Sequence, residues 1–558
     1  MKITDYMKDH FLFLDGGMGT MLQKHGLAAG ELPERWNITK PEVITEVHKA
    51  YYDAGSNVVS TNTFGANILK FSADELEAIV KAAVENARKA AELSAGTQPK
   101  WVALDIGPSG KLLAPYGDLE FEDAVALFAE TVKYGVKYGV DFIFIETMND
   151  IYETKAALLA AKENSDLPVF VSNAYGEDGK LMTGASPAAM IAMLEGMGAD
   201  AIGMNCSLGP AMLAPVAEEY LKYASVPVIL KPNAGLPQIV DRKTVYTVLP
   251  EEFSAEVALL LEKGVRITGG CCGTTPAHIA ATVQAAAGIS PKVIQPKDST
   301  CASSYTHTVD FLEVPIVIGD RINPVCNEQC REALAEGDID YVVSEGSDQQ
   351  DEEVHALFVN VGIPGADECE MLSSAVTELQ TINNLPLLIA ASDSAALEKA
   401  LRLYKGKAMV CFGGGRKEYL AEAFPLVKKY GGVLIALTED ENGIPVKAED
   451  RLAAAAKILA DAEQFGILKK DIVFAPMPLG TRCEDTAAAE TLRAVKEIRN
   501  TLSCHTVLDV SNVTLSADNA DMPLDVFLAA AVRNGVSALL INPYSEEFDV
   551  YGKTPLAL

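Results

Sequence analysis

Basic residues are scarce in this chain. Forty-six Lys and Arg stand against 77 Asp and Glu, for a formal net charge of −31. A surface of that sign does not follow a nucleic-acid backbone or an anionic lipid face, since both call for basic patches. No apolar run approaches the ~20 residues that cross a bilayer. The N-terminus, MKITDYMKDH, places charges where a secretory leader needs an apolar core. Together these absences predict a cytoplasmic protein. Cysteine is sparse as well, at 10 residues in 558. That is far below a disulfide scaffold, so a cysteine cluster here points to metal binding or thiol chemistry. The seven histidines are dispersed. Neither a nucleophilic triad nor a Walker-type phosphate loop is visible, and there is no low-complexity tract.

What the chain does have is a rhythm. Short apolar runs rich in β-branched residues end in Gly, Asn, Asp or Glu, and a helix-like stretch follows each. In the first half the runs are FLFLDGG (11–17), NVVSTNTF (57–64), WVALDIG (101–107), DFIFIET (141–147), PVFVSNA (168–174), AIGMNCS (201–207), PVILKPNA (227–234) and VRITGGCC (265–272). Eight strand–helix units predict an α/β fold of parallel strands closed into a (β/α)8 barrel over 1–290. An open doubly wound sheet is the other arrangement such units build. Residues 291–313, rich in Ser, Thr, Lys and Pro, read as a linker. The rhythm then restarts over 314–558 with PIVIGDR (315–321), ALFVNVG (356–362), PLLIAAS (386–392), AMVCFGG (408–414), GVLIALT (432–438), DIVFAPM (471–477), HTVLDVS (505–511) and VSALLINP (536–543). The expected architecture is two consecutive TIM barrels.

Chemistry in such barrels sits at the C-terminal ends of the strands. The first barrel has three cysteines, Cys206, Cys271 and Cys272, and all fall at such ends. Adjacent strand residues point to opposite faces. Cys271 and Cys272 reach one ion only if the backbone leaves strand geometry, and Gly269, Gly270 and Gly273 are expected to permit that turn. Three soft thiolates suit zinc and leave one tetrahedral position open. An electron-rich site of this kind favours presenting a thiol as a nucleophilic thiolate over activating water. Small apolar cysteines lining a barrel mouth are the plainer reading of any one of them.

The motifs LDGGMGT (14–20), STNTFGAN (60–67), MNCSLGP (204–210), KPNAGLP (231–237) and GGCCGTTPAHI (269–279) resemble the zinc-dependent homocysteine S-methyltransferases. The likeness extends to the family of cobalamin-dependent methionine synthases, in which a homocysteine barrel precedes a folate barrel. It implies that Cys206, Cys271 and Cys272 hold zinc and that the homocysteine sulfur takes the fourth place. It further implies that the turn Asp15-Gly16-Gly17 offers backbone groups to the amino-acid end of the substrate, and that Glu146 meets its ammonium. Asn205 and Asn233 are expected to hydrogen-bond around the site, and Thr61, Asn62 and Thr63 to lie on the same rim, as substrate contacts or loop architecture.

VIGDRINP (317–324) resembles the opening of the pterin-binding barrel of the same family. Asp320, Asn323, Asn360 and Asn512 match its pattern. Where that family places acids or amides, this chain has Phe358, Ala390, Cys411 and Ala475. Each pterin donor left unpaired costs on the order of 1–3 kcal/mol. The methyl donor therefore stays open at this point: methylcobalamin on a separate corrinoid protein, methyltetrahydrofolate, or a small methylated onium compound. A non-catalytic docking component of a corrinoid system is the alternative from a different class. No cobalamin module follows the second barrel in the sequence, so a corrinoid is expected to arrive on a partner.

Overall fold

The apolar runs become strands because each is buried on both faces, the setting of a parallel sheet covered by helices. The computed structural model describes residues 1–240, 243–312, 315–477, 487–510, 524–546 and 548. In the N-terminal half the strands are β1 (Leu12–Phe13), β2 (Val58–Ser60), β3 (Trp101–Ile106), β4 (Phe142–Met148), β5 (Val169–Asn173), β6 (Ala201–Asn205), β7 (Val228–Lys231) and β8 (Ile267–Thr268). They are parallel and follow chain order from β2 to β8, and β1 returns to pair with β8. The last seam is closed by Asn57. Its N–H donates to the Phe13 carbonyl (2.7 Å), and its side-chain oxygen accepts from Phe13 N–H (3.0 Å).

Inward residues such as Leu12, Val58, Ala103, Phe142, Phe170 and Ile229 fill this barrel. A short helix, Ile3–Asp9, adds Ile3 and Met7 to the same core. It lays Tyr6 against Trp101, which opens β3, so the helix lies at the strand N-termini. The surrounding helices show their expected faces. Ala73–Leu93 buries Leu76, Ile79, Val80, Ala83, Ala87 and Ala90, and Ser72 caps it by accepting from Glu75 N–H.

The second barrel consists of β9 (Ile316–Ile322), β10 (Ala356–Asn360), β11 (Leu387–Ala391), β12 (Met409–Phe412), β13 (Val433–Leu437), β14 (Ile472–Ala475), β15 (His505–Asp509) and β16 (Ala538–Ile541). It is closed, with β9 pairing β16 in parallel, Ile318 opposite Leu540.

The chain divides into compact units at 1–297 and 298–558. The segment expected as a linker is structured in part. Cys301–Ser303 and Thr308–Asp310 form an antiparallel hairpin, and Ala302 and Phe311 enter the core of the second barrel. Its hydroxyls cap backbone of that barrel. Thr300 donates to the Lys470 carbonyl (2.6 Å), Ser304 to the Asn384 carbonyl (2.6 Å), and Ser303 accepts from Lys407 N–H (3.0 Å). Serine and threonine read as loop composition because such long-range partners leave no periodic trace. Among the described residues no helix is long and apolar enough to cross a membrane.

Candidate metal centre and substrate pocket

Cys206 follows β6 directly. Its φ is +61° and that of Ser207 is +57°, a left-handed turn that costs non-glycine residues roughly 1–2 kcal/mol each. Hydrogen bonds hold it: Cys206 N–H donates to the Lys231 carbonyl (3.1 Å), and Leu208 N–H returns to Cys206 (2.6 Å). The adjacent pair, Cys271 and Cys272, follows β8 and is braced on the loop after β7. Cys271 N–H donates to the Pro232 carbonyl (2.8 Å), and Cys272 N–H to the Asn233 side chain (3.0 Å). Asn233 is therefore a brace for the cysteine turn.

The glycines act differently from the expectation that all three relieve the turn. Only Gly273 has a left-handed φ, +82°. Gly269 and Gly270 are positions of close approach. A Cβ at Gly269 would lie 2.8 Å from the Asp15 carbonyl, and one at Gly270 would collide with the Thr274 side chain. The Tyr246 ring packs on Gly273, next to the cysteine pair.

The three sulfurs lie within 4.8 Å of one another, with Cys206 and Cys272 4.0 Å apart. Tetrahedral zinc, with bonds of about 2.3 Å to sulfur, sets its sulfurs ~3.8 Å apart. The donor set thus fits a soft tetrahedral ion. Hydrogen bonds from Cys206 and Cys271 pull the Cys272 thiol down to about 3, while hydrogen bonding to Cys206 and Cys272 and burial push Cys271 well above its ordinary value. One thiolate is stabilised at the expense of its neighbours, and a bound cation removes that conflict.

Beside the sulfurs lies a pocket of ≈ 260 Å³ whose walls include Asp15, Gly16, Gly17, Asn62, Asp105, Glu146, Lys231 and all three cysteines. Glu146 comes from β4, and the next residue, Thr147, has φ +62°. Asn205 clamps that bend. Its oxygen accepts from Thr147 N–H (2.8 Å) and Ser172 (2.6 Å), and its nitrogen donates to Thr147 (2.7 Å) and Glu146 (3.2 Å).

Lys231, at the end of β7, is buried, and its ammonium lies 2.9 Å from Glu146 and 3.6 Å from Asp15. Burial alone would lower Lys231, but the charges of Glu146 and then Asp15 outweigh it and hold it well above the usual range. Glu146, expected to wait for a substrate ammonium, thus already has a countercharge. Asp15 also accepts from Ser60 N–H (2.8 Å), and burial raises it to about 6.

The glycine turn is engaged too, since Gly17 N–H donates to Thr274 (3.1 Å). Thr61 and Thr63 are architectural, binding the backbone of Asp105 (3.1 and 2.7 Å). Asn62 reaches the pocket while holding the Pro33 carbonyl (2.7 Å). His278 lies on helix Pro276–Ala286 and closes its capping box, away from the sulfurs. Asp105, Lys231 and Tyr246 escaped the sequence reading. The first two stand at strand ends, which is a usable signal, whereas Tyr246 has none.

In the second barrel Asn360 donates to Asn323 (3.1 Å), and Asp320 is buried below them with the Cys326 thiol 3.8 Å away. Phe358, Ala390 and Ala475 face the barrel core, with Cys411 against it. Asn512 lies outside the described residues. Cys326 precedes helix Glu328–Glu336 and does not share it with Cys330.

A three-cysteine cluster whose spacing fits a soft metal ion thus stands at the strand C-termini of a (β/α)8 barrel. Residues 12–286 match the family described as Homocysteine S-methyltransferase, and the N-terminal barrel is a domain of that family. Over 572 residues the chain is 27% identical to methionine synthase of Mycobacterium tuberculosis (strain ATCC 25618 / H37Rv), covering 97% of this chain and 48% of the relative. Methionine synthase of Mycobacterium leprae (strain TN) is 27% identical over 567 residues, covering 95% of this chain and 47% of the relative. The chain spans about half the length of these curated relatives. Among solved structures, the apo form of the homocysteine methyltransferase MmuM from Escherichia coli is similar at 25% identity and a TM-score of 0.41, over 50% of this chain and 97% of that one.

Proposed function

We propose that the chain transfers a methyl group to the thiol of homocysteine, giving methionine, at a zinc site formed by Cys206, Cys271 and Cys272. The observation that carries this reading is the convergence of three sulfurs within 4.8 Å on the wall of a pocket. When bound, zinc supplies the charge that lets a substrate thiol lose its proton and remain nucleophilic. Asn233 and the Gly273 turn aim Cys272, the Tyr246 ring backs that turn, and Asn205 ties β4 to β6 beneath the pocket. The amino-acid end of the substrate rests among Asp15, Gly16, Gly17, Asn62 and Glu146. As the new carbon–sulfur bond forms, the donor–methyl bond breaks, its electron pair leaves with the donor, and the thiol proton goes to solvent. Three cysteines that must stay reduced suit the cytoplasm.

For the donor, the apolar Phe358, Ala390 and Ala475 weigh against a pterin in the second barrel, because they satisfy none of its hydrogen-bonding groups. They favour a methyl group borne on a corrinoid, with the second barrel as scaffold or docking module. Zinc content and methionine formation from methylcobalamin and homocysteine test the central reading. Cys272→Ala is expected to lose both, and unchanged zinc with unchanged turnover in that variant would refute it.

A further inference from the structure

The ionisable groups in the pocket are unevenly paired. Asp15, Asp105 and Glu146 bring three carboxyls to its floor, and Lys231 brings one ammonium. Buried charge is costly unless it is paired. Glu146 has Lys231 on both oxygens (3.2 and 2.9 Å) and Asn205 besides. Asp15 has both Ser60 donors, at 2.8 and 3.3 Å, and Lys231 at 3.6 Å. Asp105 is different. It is 6% exposed, and its Oδ1 has no hydrogen-bond partner. Thr61 and Thr63 grip its backbone, so β3 cannot turn it away. Burial, then the neighbouring charge of Glu146, holds its carboxyl well above the usual range. Such a carboxyl keeps its proton for want of a countercharge; fixed in a pocket wall with an unused oxygen, it ionises when a cation arrives beside it.

We propose that Asp105 is the residue that receives the ammonium of the thiol substrate, while Lys231 holds Glu146 and Asp15 as a neutralised floor. This rests on the reading of the pocket as a homocysteine site, and it assigns within it a specificity residue on β3. The pairing selects an α-amino thiol over a plain mercapto acid. A site built around a substrate's polar group rejects the analogue that lacks it, because its own buried group is then left unmatched. Glu34 also borders the pocket with one oxygen unbonded, but its other oxygen accepts from Gly65 N–H (2.8 Å) on the loop after β2. It serves as the rival in the test.

The test compares calorimetric affinities of the zinc-loaded full chain for L-homocysteine and for 4-mercaptobutanoate, which keeps the thiol and carboxylate and lacks the amine. Wild type is expected to prefer homocysteine by at least ~10-fold, the order of one good buried charge pair. Asp105→Asn, with zinc content checked, is expected to lose that preference while binding 4-mercaptobutanoate within about twofold of wild type. Asp105→Ser repeats the test with a smaller side chain if the amide variant folds poorly. A preference that survives in both variants, one lost in Glu34→Gln, or an equal loss for both ligands overturns the assignment alone. Failure of wild type to bind either thiol overturns the homocysteine reading and the assignment with it.

Discussion

Towards the mouth of the first barrel the strands carry Ser60, Asp105, Glu146, Asn205 and Lys231, and cysteines follow β6 and β8. At or one residue before the corresponding ends in the second barrel stand Asn360, Ala390, Cys411 and Ala475, and β15 ends on Asp509. The scaffolds are alike: eight parallel strands with helices between them and apolar interiors. The difference lies in what the last strand residues carry. A barrel sets where a reaction can occur, and the side chains at the strand ends decide which reaction it is. The first mouth concentrates groups that cannot all be charged together, three thiols and three carboxyls around one ammonium. The second offers its Asn323–Asn360 pair beside apolar walls.

The sharpest way to break this contrast is to disturb the charge balance of the first mouth. Lys231→Met leaves Glu146 and Asp15 buried without their cation. It is expected to destabilise the N-terminal barrel by about 3–5 kcal/mol. Urea unfolding followed by far-UV circular dichroism measures it, and a loss below about 1 kcal/mol would show that the floor needs no cation.

A second contrast concerns acid. His48 on helix Pro41–Asp53 is fully buried with neither ring nitrogen bonded, and burial lowers it from 6.5 to about 3. The folded barrel keeps it neutral, whereas the unfolded chain takes up a proton below pH 6.5. The stability is complete above pH 6.5 and is lost as pH falls toward 3, by about 2 kcal/mol at pH 5. His48→Phe is expected to flatten that slope for the first barrel, read as the difference in unfolding free energy between pH 7 and pH 5.

The smallest effect is expected at the second mouth. Methyltetrahydrofolate titrated into the full chain should bind only weakly, and Asn360→Ala should change its affinity and the turnover by less than about twofold. Tight folate binding abolished by this substitution would make the two mouths partners in one reaction and remove the contrast.

Much of this was legible in the residue order. The eightfold rhythm gave both barrels, because a strand buried on both faces needs a continuous apolar run and the next residue begins a loop. The cysteines stood out because all three follow strand ends. Other features left no local mark. The hairpin at 301–310 reads as a linker because Thr300, Ser303 and Ser304 find their partners at Lys470, Lys407 and Asn384. Glu146 reads as a residue awaiting a substrate because Lys231, 85 positions away, is invisible beside it. Gly269 and Gly270 read as hinges, yet their need for no side chain comes from Asp15 and Thr274 pressing on them.

The chain's own pattern determined the secondary structure, the barrel count and which residues stand at the strand C-termini, because those depend on periodicity within a few residues. Only the closed fold decided which of those residues touch. Sulfurs from β6 and β8 meet, Lys231 chooses Glu146, and Asp105 is left with an unspent oxygen, because pairing across a barrel depends on strand register and depth, which no short stretch of sequence encodes.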